Sequence, residues 1–202
     1  MNTNYAIYYN HETIGDVLMI VFDSQVRPDE IISKGDVTIL KRNEAVIGYN
    51  LFNISNVMKI KANGFIPRID KAVLEVINSI LVNAGEEPLK ERETCGFKVA
   101  KIVEIEEHPD SEHLHICKVD VGAKECLQIV CGAYNARENL LCVCALPYAF
   151  MPNGQQIIPS KLLGIESYGM LCSGRELALP GYEGKRGLLE LDDSYKVGED
   201  FF

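Results

Sequence analysis

Apolar and polar residues alternate along this chain in two rhythms, and the rhythm changes twice. Residues 16–23 (Asp-Val-Leu-Met-Ile-Val-Phe-Asp) form a continuous apolar run bounded by acids, the pattern of a buried strand. Residues 35–40 and 45–54 read as further strands joined by the polar turn Lys41-Arg42-Asn43-Glu44. From Pro67 the period lengthens. Ile69, Val73, Val76, Ile77 and Ile80 recur at helical spacing, which predicts one apolar face of a helix. Pro67 suits the first turn of that helix, and Gly85 and Pro88 suit its end. Residues 86–94 are charged and poor in apolar side chains, so they are expected to be a linker. A small α+β domain over residues 1–90 is the expectation for the first half.

After residue 94 the short period returns. Val103 and Ile105 alternate with Glu104 and Glu106, and His108-Pro109-Asp110-Ser111 is a turn, because Pro fixes φ and Asp and Ser bond back to the backbone. In residues 114–121 the apolar face switches from Leu114 and Ile116 to Cys117, Val119 and Val121. A switch of one residue is what a bulge produces, and a bulge is expected there. Residues 127–130 and 140–146 are apolar strands, and Gly and Pro punctuate the rest. Several short strands with frequent turn residues predict a small all-β barrel over residues 95–202.

Composition narrows the class. The chain has 202 residues, with 20 Lys+Arg against 29 Asp+Glu, a net charge of −9. Residues 1–92 carry 10 basic and 12 acidic side chains, net −2, and residues 93–202 carry 10 and 17, net −7. With 47% apolar residues there is enough apolar surface to offset chain entropy, so disorder is not expected. No apolar run approaches the ~20 residues of a spanning helix. The N-terminus lacks a basic stretch followed by an apolar one, so no signal peptide and no membrane contact are expected, and the cytoplasm is the expected location. All seven cysteines follow residue 94 and no Cys-x-x-Cys pair occurs. They are expected to be small core side chains rather than disulfides or zinc ligands, and no metal or cofactor is expected.

Catalytic patterns are missing. There is no phosphate-binding glycine loop and no H-E-x-x-H. A Cys–His nucleophile drawn from His108, His113 or His115 lacks a third orienting group. The expectation is a protein that is not an enzyme.

One set of ordered segments is specific. His108-Pro109-Asp110-Ser111-Glu112-His113-Leu114 precedes Cys117-Lys118-Val119-Asp120-Val121-Gly122, then Gln128-Ile129-Val130-Cys131-Gly132-Ala133-Tyr134-Asn135-Ala136-Arg137, then Ala145-Leu146-Pro147. The last segment is Ser160-Lys161-Leu162-Leu163-Gly164-Ile165-Glu166-Ser167-Tyr168-Gly169-Met170-Leu171-Cys172-Ser173. In order and spacing these resemble the tRNA-binding OB domain of the bacterial phenylalanyl-tRNA synthetase β subunit, over residues 95–200. The whole layout resembles the stand-alone YtpR-type tRNA-binding proteins. The resemblance implies a mixed architecture, a small α+β N-terminal domain plus an OB-fold barrel. It implies non-catalytic RNA binding, with tRNA recognised by shape and phosphate contacts. Carried over residue by residue, it implies RNA contacts from Lys118, Asn135, Arg137, Lys161, Ser167, Met170, Ser173 and Arg175. Gly169 would let backbone approach the ligand. The family's Lys and Arg are replaced here by His113 and Leu163, and Lys185-Arg186 could supply some of that charge. A homodimer and an aminoacyl-tRNA synthetase or other translation protein are the further partners it suggests. The alternative is an OB-fold protein-interaction module whose RNA binding is lost or weak, docking a translation-related partner.

Overall fold

The computed structural model describes residues 4–202 and divides into two compact units, one ending at Glu93 and one covering Thr94–Phe202. The first unit is a six-stranded sheet in the order β3-β4-β5-β2-β1-β6. Its strands are β1 (Ala6–Tyr9), β2 (Val17–Val21), β3 (Glu30–Lys34), β4 (Val37–Arg42), β5 (Ala45–Phe52) and β6 (Gly64–Phe65). A one-turn helix, α1 (His11–Ile14), links β1 to β2, and α2 (Lys71–Asn83) covers one face of the sheet. Leu74, Ile77 and Leu81 of α2 are buried against Ile7, Leu18, Ile20 and Leu51.

The helix begins at Lys71 with Asp70 at its N-cap, four residues after Pro67. The carbonyl of Pro67 accepts instead from Arg92 at 2.8 Å. β1 and β3 have no counterpart in the hydropathy pattern, because Ala6–Tyr9 is buried on both faces and the edge strand Glu30–Lys34 is mostly exposed, so neither alternates. The segment expected as a linker is fastened to the first unit. Asn78 accepts from the Leu89 amide at 2.7 Å and donates to its carbonyl at 3.0 Å, and Leu89 is buried. Glu86 accepts from Lys34 at 2.9 Å and from the Tyr49 hydroxyl at 3.1 Å. Counting charges could not show this, since Glu86, Glu91 and Arg92 are charged residues that bond back to the unit.

The second unit is a curled five-stranded sheet in the order β13-β10-β7-β8-β9. Its strands are β7 (Phe97–Glu107), β8 (His115–Asp120), β9 (Leu127–Cys131), β10 (Leu141–Ala145) and β13 (Met170–Cys172). Between the last two, β11 (Ser160–Leu162) and β12 (Ile165–Ser167) form a hairpin. The long β7 pairs with β10 through its first half and with β8 through its second. The register shifts between Ile102 and Glu104, so Val103 is the extra residue and the strand bends there. The bulge therefore lies on β7, opposite the β8 residues whose face change suggested it. The bend brings the sheet ends β9 and β13 together. β12 joins β9 where the Gln128 side chain donates to the Glu166 carbonyl at 2.7 Å and the Tyr168 amide donates to the Gln128 carbonyl at 2.8 Å. This is an OB-type barrel after a small α+β unit. Its core holds Ile102, Val119, Ile129 and Leu171 together with Cys117, Cys131, Cys142 and Cys144. Six cysteines are buried and Cys126 is exposed, all as free thiols.

Candidate nucleic-acid interface

The β11–β12 turn places Leu163 and Gly164 in the left-handed region, with φ of 44° and 84°. Leu163 stands at the tip, 57% exposed. The hairpin is held beside its turn by His108, whose Nδ1 accepts from the Asp110 amide at 3.1 Å and whose Nε2 lies 3.2 Å from the Leu162 carbonyl. One nitrogen accepts from an amide, so the other carries the proton and donates to that carbonyl. His108 is thus a buried staple rather than a base, and the exposed His113 lies outside this contact.

Three of the expected RNA-contacting cations are held by carboxylates. Lys118 lies 2.8 Å from Glu104 across the β7–β8 ladder. Lys161 lies 3.5 Å from Glu166 across the hairpin, and Glu166 also accepts from the Tyr168 hydroxyl. Arg137 binds Glu190 through two nitrogens, at 2.9 and 2.6 Å. Asn135 donates to the same carboxylate at 2.9 Å and to the Leu188 carbonyl at 3.2 Å, and accepts from the Leu188 amide at 2.8 Å. The bonds from Arg137 and then Asn135 hold the Glu190 carboxyl down at about 2. Asn135 and Arg137 thereby clamp the segment 186–190 onto the loop that follows β9.

Ser167 and Ser173 are buried and occupied. The Ser167 hydroxyl accepts from the Val130 amide at 3.1 Å and helps close β12 onto β9. Ser173 opens one helical turn. Its amide and hydroxyl donate to the Glu176 carboxylate at 2.8 and 2.6 Å, and the Glu176 amide returns to the Ser173 hydroxyl at 3.2 Å, the reciprocal pattern of a capping box. Gly169, at φ 118°, approaches this chain's own backbone. A Cβ there would lie 2.8 Å from the Ala145 carbonyl oxygen.

Met170, Ser173 and Arg175 do converge. They line a cleft of about 430 Å³ together with Cys131, Gly132, Glu176, Lys185 and Arg186. Among the described residues, Arg175, Lys185 and Arg186 are in no ion pair, while Glu176 is turned toward Ser173. Within an acidic unit, this is a local patch of free positive charge, and local fields rather than net charge govern contact with an anion. A second cleft of about 240 Å³ shares Lys185, Arg186, Gly187 and Leu188 with the first, and its walls include Tyr134 and Tyr182. Reasoning from sequence passed over both tyrosines as site residues. Tyr134 lies inside the quoted motif, and an aromatic residue between Ala133 and Asn135 on a polar loop was the available signal.

Among the described residues, no group of three or more His, Cys, Asp or Glu could hold a metal ion. No helix is long and apolar enough to cross a membrane.

Comparison with known proteins follows the same division. Residues 97–200 match the family model described as "Putative tRNA binding domain", and residues 24–90 match a domain of unknown function, DUF4479. The chain is 36% identical to the "Putative tRNA-binding protein YtpR" of Bacillus subtilis over 197 residues, covering 96% of this chain and 98% of that protein. It is 51% identical over 105 residues to the phenylalanine–tRNA ligase β subunit of Aromatoleum aromaticum, covering 52% of this chain but 13% of the subunit. The corresponding subunit of Methylococcus capsulatus is 42% identical over 137 residues, again spanning 16% of its own length. On its matched second unit and its full-length likeness to the Bacillus protein, the chain belongs to the YtpR-type family of tRNA-binding-domain proteins.

Proposed function

We propose that this protein binds tRNA without catalysis, through phosphate contacts made by the second unit. The observation that carries this is the convergence of Arg175, Lys185 and Arg186, none in an ion pair, around one cleft of a barrel that matches the tRNA-binding-domain family. A cation already neutralised by a carboxylate must break that pair before it can bind phosphate. A free one displaces only counterions, and each phosphate neutralised adds to affinity and to its salt dependence. The contact surface in this reading therefore centres on Arg175 and the Lys185-Arg186 pair, with Lys118 and Lys161 secondary and Asn135 and Arg137 structural. The cytoplasm is the compartment that fits such a partner. A second copy of the chain and an aminoacyl-tRNA synthetase are partners to look for by light scattering and by pull-down.

The test is titration of bulk tRNA at several salt concentrations. Arg175→Ala, Lys185→Ala and Arg186→Ala should each weaken binding across all tRNAs and lower the slope of log K against log salt by roughly 0.7 to 0.9. Lys118→Ala should change the slope less. If the three alanine variants bind as the parent does, RNA does not use this cleft. If the parent binds no tRNA at low salt, the protein-docking reading takes its place.

A further inference from the structure

We infer that the paired clefts either side of the 185–188 segment form a seat for unpaired nucleotides, with bases stacked on Tyr134 and Tyr182 and phosphates held by Arg175, Lys185 and Arg186; this rests on the RNA-binding reading above. Tyr134 is 79% exposed, the most exposed of the large apolar and aromatic residues among those described. Exposing a tyrosine ring to that extent gives up apolar burial for no structural gain. Yet the ring is not loose. Its hydroxyl donates to the Arg186 carbonyl at 3.3 Å, on a segment that Asn135 and Arg137 clamp through Leu188 and Glu190. An exposed ring fixed in position is preorganised for a flat partner and loses little freedom when one arrives.

Tyr182 lines the same smaller cleft. Its ring carries a cation, with Lys185 Nζ 4.2 Å from the centroid, so a base stacks on that face only once the ammonium has moved onto a phosphate. Gly187 also lines this cleft, at φ 89°, where a Cβ would lie 2.9 Å from the Tyr134 ring and 2.6 Å from Asn135 Oδ1. Any side chain here would fill the space beside the ring. Aromatic faces interleaved with unpaired cations are the combination that holds single-stranded nucleic acid, because every base has a π-face and every linkage a charge. Duplex RNA offers neither free faces nor bases that fit a cleft of this size, since its bases are stacked and its deep groove is closed to side chains. The ligand class is therefore a short unpaired stretch, read with little base preference.

The experiment uses the full chain, a labelled octauridylate as the single-stranded probe, and a fully paired RNA hairpin as competitor. Tyr134→Ala should weaken octauridylate binding by about tenfold with the salt slope unchanged, because no charge is lost. Tyr134→Phe should bind within about twofold of the parent, since the face and not the hydroxyl carries the contact. The chain has no Trp, so tyrosine emission reports directly. It should be quenched by octauridylate in the parent and less so in Tyr134→Phe, even though affinity is kept. Tyr182→Leu, which preserves bulk beside Gly174, should also weaken binding, with its melting curve checked against the parent. The hairpin should compete poorly per phosphate. If Tyr134→Ala and Tyr182→Leu bind as the parent does, or the hairpin competes as well as octauridylate, the nucleotide seat is overturned while the cationic-cleft reading stands on the Arg175→Ala salt slope. A parent that binds neither RNA overturns both.

Discussion

Arg137 grips Glu190 with two guanidinium nitrogens, at 2.9 and 2.6 Å, fifty-three residues apart in sequence. The geometry is the bidentate fork that makes Arg–carboxylate pairs specific as well as attractive. The consequence falls on the neighbouring residues: the pair fixes segment 186–190, and with it the backbone that carries Lys185 and Arg186 to the cleft rim.

Breaking that pair should therefore act on RNA binding through position. Arg137→Ala is expected to lower tRNA affinity severalfold. Its effect on the salt slope should be smaller than that of Arg175→Ala, because Arg137 is already neutralised by Glu190. Both partners are about half exposed, so the melting temperature should move little. The charge swap Arg137→Glu with Glu190→Arg should recover part of the affinity. Filter binding at three salt concentrations checks all of this; a slope change as large as that of Arg175→Ala would mark Arg137 as a phosphate contact instead.

The same pair sets a pH dependence. Glu190 has its carboxyl lowered from 4.5 to about 2 by Arg137 and Asn135. A carboxyl lowered on folding adds stability that is complete above its unfolded value and is lost as pH falls through the folded one. The clamp should thus be intact above about pH 5, weaken from about 4.5 downward, and be released near 2. Following the Arg137 Nε–H resonance by NMR across this range should show it. Release at pH 4 or above would refute the assignment.

Gly187→Ala should disturb the clamp without touching any charge. The residue sits at φ 89°, and an added Cβ would fall 2.6 Å from Asn135 Oδ1. The left-handed backbone and the collision together should cost about 1–3 kcal/mol. Accelerated proteolysis within residues 180–190 and weaker tRNA binding are expected. Unchanged proteolysis would show that the loop holds by other means.

The thiols should separate by environment. Cys126 is exposed and should alkylate first. Burial pushes Cys142 up to about 12 and raises Cys144 and Cys172, so these should react only after denaturation. A hydrogen bond from the Cys117 thiol holds Cys131 below its ordinary value, so Cys131 should be the first buried thiol to react. Mass spectrometry of iodoacetamide-treated protein gives the order, and metal analysis should find no stoichiometric zinc.

Truncation tests the boundary. Fragment 95–202 is expected to fold with a cooperative melt. Fragment 1–93 should be markedly more stable than 1–85, because the shorter one loses the Asn78–Leu89 bonds, the buried Leu89 and the Arg92 contacts to Tyr5 and Pro67. Equal stability of the two shorter fragments would make residues 86–93 a true tether.

Sequence alone determined the barrel. Its signal lies in short-range features, namely alternating apolar positions, turn residues and an ordered set of motifs, and these are enforced locally by backbone geometry and burial. It also placed six of the seven cysteines in the core, Cys142 and Cys144 by sharing a face of one strand, but not Cys126, which the structure leaves exposed. It could not determine which cations are free. Lys118, Arg137 and Lys161 looked equivalent to Arg175, but whether a charge is available depends on partners such as Glu104 or Glu190 that only folding brings near. Likewise, Val103 rather than a β8 residue carries the bulge, because a register slip appears as a face change on either strand of a pair. Tyr134 and Tyr182, forty-eight residues apart in sequence, face one cleft only because the 186–190 segment is clamped back onto the loop after β9. Contacts of that range leave no period in a sequence, so only the tertiary structure decides them.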